Sequence, residues 1–165
     1  MRAEWEKLPL YNKAIDISEL VVHITKAIEQ TDFDFGSETQ SELFSISLEG
    51  MQQHALILPM KVARTISYDT IYDLRMENAA IIRRAARELI IDARGLEMHG
   101  YKDEEYLDLL RQEVEEFRIL FAEWVKTFDP WNYIIDRWGL FNPPGVNYDD
   151  HDPDDDISLD SEDFD

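Results

Sequence analysis

Apolar residues recur at alternating intervals of four and three in three separate stretches of the chain. They run through Leu10, Ala14, Ile17, Val21, Ile24 and Ile28, through Phe44, Leu48, Met51, Ala55, Leu58 and Val62, and through Leu110, Val114, Phe117, Phe121, Trp124 and Phe128. That spacing lays each set along one stripe of an α-helix, the stripe that helix-on-helix packing buries. A fourth stretch, residues 71–96, is apolar on a wider face through Leu74, Ile81, Ile82, Ala85, Leu89 and Ala93. Four helices are predicted.

Local signals set their ends. Pro9 suits a first turn, where its missing N–H would go unpaired anyway, so helix 1 is predicted from Pro9 to about Gln30. After TDFDFGS, in which Phe33 and Phe35 are placed to cover one end, Ser37 with Gln40 three residues on, or Ser41, caps helix 2. That helix contains Gly50 and Pro59. An interior proline loses a backbone hydrogen bond and strains the preceding turn, which predicts a kink near residues 55–59 in preference to a break. Ser67 or Asp69 is the expected cap of helix 3, which stops at Gly95 or Gly100. Asp103, Glu104 and Glu105 open helix 4, where the helix dipole favours acids, and Asp129-Pro130 ends it. Short connections favour antiparallel neighbours. The predicted fold is all-α, an up-down-up-down four-helix bundle over residues 1–130.

The character changes after residue 130. Trp131, Tyr133, Ile134, Ile135, Trp138, Leu140 and Phe141 crowd together ahead of Asn142-Pro143-Pro144-Gly145. This is too apolar for a solvated linker, so residues 131–148 are expected to form an arm docked on the bundle or on a neighbouring subunit. Trp131, Ile135 and Trp138 are spaced by four and three, so a short helical turn would present them together. Residues 149–165 hold ten acids and no base, the composition of a disordered tail.

Charge narrows the function classes. The formal net charge is −20, and even without the tail 26 acids face 16 bases. Such a surface repels phosphate backbones and anionic lipid, which makes nucleic acid an unexpected partner unless a local basic patch takes part. The absence of cysteine removes disulfides, thiolate metal sites and thiol nucleophiles, and fits a reducing compartment. The start MRAEWEKLPL lacks the pattern of a secretory signal, and no stretch has the apolar length of a membrane span. A cytoplasmic protein without membrane association is expected.

Candidate chemistry is sparse. A di-iron site in a helical bundle needs Glu-x-x-His pairs, but Leu20, Met51, Leu96 and Tyr148 precede His23, His54, His99 and His151 at that spacing. Glu113/Glu116 and Glu105/Asp108 have the spacing of magnesium-holding carboxylates, in an order along one helix that reads better as a solvated face with Asp108–Arg111 and Arg111–Glu115 pairs. Asp152, Asp154, Asp156, Ser158 and Asp160 alternate like calcium-loop ligands, yet Ile157 stands at the glycine position and Asp163 at the bidentate glutamate position. No catalytic residue, metal or cofactor is expected. Five arginines lie on helix 3, with Arg83, Arg87 and Arg94 along one stripe. They read as a charged outer face with pairs such as Arg84–Glu88, or as a surface for RNA phosphates or an acidic tail. Asn78 falls within the apolar face, where a buried amide fixes helix register.

Two motifs carry a family resemblance. Leu8-Pro9-Leu10-Tyr11-Asn12-Lys13-Ala14 opens helix 1 with an aromatic, a basic residue and an alanine, and Ala55-Leu56-Ile57-Leu58-Pro59-Met60-Lys61-Val62-Ala63 sets a proline among aliphatics in helix 2. Together with the layout of residues 8–128 they resemble the bacterial four-helix-bundle family first named for a protein encoded in an intervening sequence of large-subunit ribosomal RNA genes. The resemblance implies a bundle that assembles into small rings and an association with RNA or reverse-transcriptase machinery; it carries over no catalytic residue. The expected function is that of a non-enzymatic, self-assembling scaffold or adaptor, a homo-oligomer acting through Arg83, Arg87, Arg94, Trp131, Ile135 and Trp138. The alternative is an RNA-associated accessory protein that uses the helix 3 arginines.

Overall fold

The structure, a computed structural model, describes residues 1–68 and 71–152. Among these residues it is all-helical, without strands. A 3-10 turn at Glu4–Lys7 leads into α1 (Pro9–Glu29), followed by α2 (Glu38–Ser67), α3 (Tyr72–Met98) and α4 (Glu104–Val125). Each helix packs on its two sequential neighbours, α4 closing back on α1, so that α1 faces α3 and α2 faces α4 diagonally across the core. No helix among the described residues is long and apolar enough to cross a membrane.

The stripes of α1, α2 and α4 meet in one core, with Leu48 and Phe121 half-buried at its edge. Burying side chains of this size contributes roughly 1.5–3 kcal/mol each, which is why the periodicity predicts the fold so directly. In α3 the inward face is rotated from the expected one. Leu74 and Ile81 are exposed, and Asn78, Ala79, Ala86 and Leu96 are buried beside Ile82, Ala85, Leu89 and Ala93. Phe33 and Phe35 stack on each other, tilt against Phe44 and close the end of the core, as expected.

Helix ends follow local chemistry with instructive exceptions. Ser37 Oγ accepts the Gln40 amide at 3.2 Å, but the Gln40 side chain donates across to the Met98 carbonyl instead of returning to Ser37. α3 ends in the glycine motif, Gly100 taking φ +122° so that the Tyr101 amide bonds back to the Leu96 carbonyl at 2.8 Å. α2 runs uninterrupted through the buried Pro59, so the helix does not break in two. Ser67 does not cap α3. It is the last residue of α2, and Asp69 lies outside the described residues. The first amide of α3, on Tyr72, is satisfied instead by the carbonyl of Asn132 at 2.8 Å. α4 stops before Asp129-Pro130, at Val125, and Asp129 accepts the Trp131 amide within the turn that follows.

α2 and α3 form the tightest pair and run antiparallel, with Gln40 opposite Met98, Ser47 opposite Gly95 and Gly50 opposite Asp92. Both glycines sit at close crossings, and Gly50 is the one whose neighbour cannot give way freely. A Cβ on Gly50 would stand 2.8 Å from Asp92 Oδ1, and one on Gly95 would collide with Ser47 Oγ.

Candidate interaction surfaces

The close α2–α3 approach places His54 Nδ1 2.7 Å from Oδ2 of Asp92, whose side chain is nearly buried. No sequence pattern gives His54 a partner, because Asp92 lies 38 residues away. Burial pushes the Asp92 carboxyl above its usual range, and the hydrogen bond to His54 pulls it part of the way back. A carboxyl raised in the fold favours folding below the ordinary aspartate range and costs stability as pH rises through its folded value. At neutral pH His54 therefore offsets a desolvation cost. His54→Ala should destabilise the protein by about 1–3 kcal/mol at pH 7, with a smaller loss near pH 4, where the stranded carboxyl takes up a proton. Asp92→Asn should cost less. Urea unfolding of the three proteins at both pH values checks this, and an equal or greater cost for Asp92→Asn contradicts it.

Between α1 and α4, Lys13 Nζ sits 2.9 Å from Glu113 Oε2 and 2.6 Å from Glu116 Oε2. The two carboxylates with metal-like spacing thus share an ammonium. The hydrogen bond to Glu116, then that to Glu113, raises the Lys13 pKa. Other α4 charges also pair, but not all as expected. Arg111 bonds Asp108 and, on α3, Glu97, while Glu115 pairs with Arg118 instead of Arg111.

A groove of about 540 Å³ separates α3 from α4. Phe117, Phe121 and Val125 from α4 meet Ala86 and Ile90 from α3 along its floor. Arg83 and Arg87 line its α3 edge, and Arg111 and Arg118 its α4 edge. The structure thus joins two expected arginines with Arg111, read as a helix-face charge, and with Arg118, which no sequence pattern singled out. Arg94 does not line the groove. Arg83 and Arg87 are exposed and, among the described residues, make no ion pair; the expected Arg84–Glu88 pair does not form either.

The arm differs most from expectation. Residues 131–148 contain no helical turn, and Trp131 and Trp138 are 87% and 96% exposed, with only Ile135 half-buried. The Asn132 carbonyl accepts the Tyr72 amide, a backbone bond from the arm to the start of α3. Beyond that point the chain folds on itself around Asp136. This carboxylate accepts the amides of Trp138, Leu140 and Phe141 at 3.0, 2.9 and 2.8 Å. Asn142 exchanges two hydrogen bonds with the Asp136 backbone, and Arg137 donates to the carbonyls of Tyr148 and Asp150. Gly139, at φ +72°, makes the reversal that brings Tyr148 against it. The hydrogen bond to the Phe141 amide is the main cause holding the Asp136 carboxyl below the usual range. Asp150 also belongs to this loop, accepting the Asn147 amide at 2.8 Å, so the loop extends past Tyr148 into the segment read as tail. The rest of that segment, 153–165, lies outside the described residues.

At the opposite end, a recess of about 530 Å³ lies under Phe33 and Phe35. The Tyr101 hydroxyl there is buried without a partner among the described residues, and desolvation pushes its pKa up to about 12.

Compared with protein-family models, with curated proteins and with solved structures, the chain matches none.

Proposed function

We propose that this chain is a non-enzymatic scaffold or adaptor that assembles with copies of itself through protein–protein contacts. In this reading it is an up-down-up-down four-helix bundle whose aromatic arm is the assembly surface, working in the reducing cytoplasm that its cysteine-free composition suits. One observation carries the proposal. The loop around Asp136 is tied by its own hydrogen bonds, yet it holds Trp138 and Leu140 out to solvent, with Trp131 and Ile134 exposed beside it. Exposed apolar groups gathered on an ordered loop suit an interface, because much of the ordering cost of binding is met in advance.

Light scattering behind a sizing column at micromolar concentration tests the reading. A multiple of 19.4 kDa is expected, and a clean monomer would sink it. Arg83 and Arg87, which make no ion pair among the described residues, keep the RNA-associated alternative in play, and nucleic-acid binding separates the two. Near physiological salt the scaffold should bind RNA no more tightly than the nonspecific range of about 10⁻⁴ to 10⁻⁶ M. Submicromolar binding that disappears in Arg83→Glu with Arg87→Glu would reverse the ranking.

A further inference from the structure

The groove between α3 and α4 asks for a ligand with two properties. Its floor of Ile90, Phe121 and Val125 calls for apolar side chains, and the guanidinium groups of Arg83 and Arg87 along its α3 edge call for anions, since Arg111 and Arg118 on the α4 edge already pair with Asp108, Glu97 and the groove-lining Glu115. Arg83 and Arg87 supply positive charge that no described acid neutralises, on a chain whose formal net charge is −20. A planar guanidinium at a partly apolar surface favours carboxylates over bulk water more than an ammonium would.

We infer that the occupant is the acidic segment 153–165 of the same molecule. Seven of these thirteen residues are acidic and none is basic, while Ile157, Leu159 and Phe164 are interleaved among the acids. In an extended chain Ile157 and Leu159 point to one side, and Asp156, Ser158 and Asp160 to the other. That alternation matches an apolar floor beside a charged edge. Elsewhere the body carries excess acid, so it repels such a segment and leaves the arginine edge as its favoured contact.

Reach is sufficient. The arm is fastened at Tyr72, the start of α3, and Arg137 and Asp150 hold the chain close to the loop where segment 153–165 departs. Arg83 lies about 16 Å along α3 from Tyr72 at the helical rise, and thirteen extended residues span up to about 43 Å. Tethering also gives the segment an effective concentration on the order of millimolar at a groove within its reach. Occupied in this way, the arginines are screened from other anions, and the segment sets the threshold a competing acidic ligand has to exceed. The inference stands whether or not the protein self-assembles.

A disulfide-trapping experiment on the full chain tests it, since the protein has no cysteine of its own. Ala122→Cys, at an exposed groove position, is combined with Ser161→Cys; the control pairs Ser161→Cys with Val22→Cys, exposed on α1 beside α2. Each closure rate is divided by the rate at which the same body cysteine reacts with a small neutral disulfide. The groove pair should close within one molecule at least tenfold faster than the control. That advantage should vanish in 1 M salt, where the screening length is about 3 Å, and in Arg83→Glu with Arg87→Glu. Equal rates for the two pairs, a salt-independent advantage, or a product linked between two molecules would each overturn the assignment.

Discussion

Replacing Gly50 by valine is expected to lower the melting temperature by about 10 °C, one of the largest losses for a substitution that removes no side-chain group. Two effects compete. Removing a glycine from mid-helix stabilises by roughly 0.5–1 kcal/mol, because the unfolded chain loses freedom. Against this, the new Cβ would lie 2.8 Å from Oδ1 and 3.3 Å from Cγ of Asp92, with the valine methyls beyond it. Asp92 cannot swing into water without leaving His54. Overpacking costs about 1–3 kcal/mol, and breaking a buried pair adds about 3–5 kcal/mol at full burial, less for this partly exposed histidine. The cost wins by about 3 kcal/mol, and a chain of this size loses about 2–4 °C per kcal/mol. Gly95→Ala is the comparison, because its Cβ meets only the Ser47 side chain, a short one whose hydroxyl, the closer of its two atoms, can rotate away. Thermal unfolding followed by circular dichroism reads both. A Gly50→Val protein that melts with the parent would refute the close-contact account.

The same crossing shows where sequence reading stops. The stripes on α1, α2 and α4 were legible because a 3.6-residue rhythm is a property of the segment itself and burial rewards it directly. Gly50 could be read only as a weak point in a helix, since its purpose depends on Asp92, 42 residues along the chain. The His54–Asp92 contact was hidden for the same reason. On α3 the apolar face was too broad to orient, as alanines at 79, 85, 86 and 93 fit either side and packing against α2 made the choice. Arg83 and Arg87 were legible as a stripe, but not their junction with Arg111 and Arg118 across the groove. In the arm, the spacing of Trp131, Ile135 and Trp138 fits a helix, yet Asp136 and Asn142 offer the backbone local partners that compete with helical hydrogen bonds. Those partners win, and Asn142-Pro143-Pro144-Gly145 discourages a helix beyond them.

That competition makes Asp136 the most informative position in the arm. Asp136→Ala takes away the acceptor for the amides of Trp138, Leu140 and Phe141 at once, and the turn that displays Trp138 is expected to open. If the arm assembles the protein, this substitution should weaken self-association as much as Trp131→Ala with Trp138→Ala, although Asp136 itself presents little surface to a partner. Removing central tryptophans from an interface commonly costs 2 kcal/mol or more each, so the double tryptophan variant should dissociate at concentrations about a hundredfold higher or more. Neither variant should move the melting temperature of the helices far, because Trp131 and Trp138 are exposed and the backbone bond from Asn132 to Tyr72 involves none of the substituted side chains. Asp136→Asn should fall between, keeping one oxygen acceptor but turning an amide toward a donor. The carboxyl is held below its usual range, so its contribution is complete above the unfolded aspartate value of about 3.9 and fades only as pH falls through the lower folded value. Assembly should therefore be insensitive to pH between about 5 and 8 on this account. Sedimentation velocity across a dilution series, with circular dichroism on the same samples, separates lost assembly from lost fold. An Asp136→Ala protein that assembles like the parent would show that the exposed loop is not the interface.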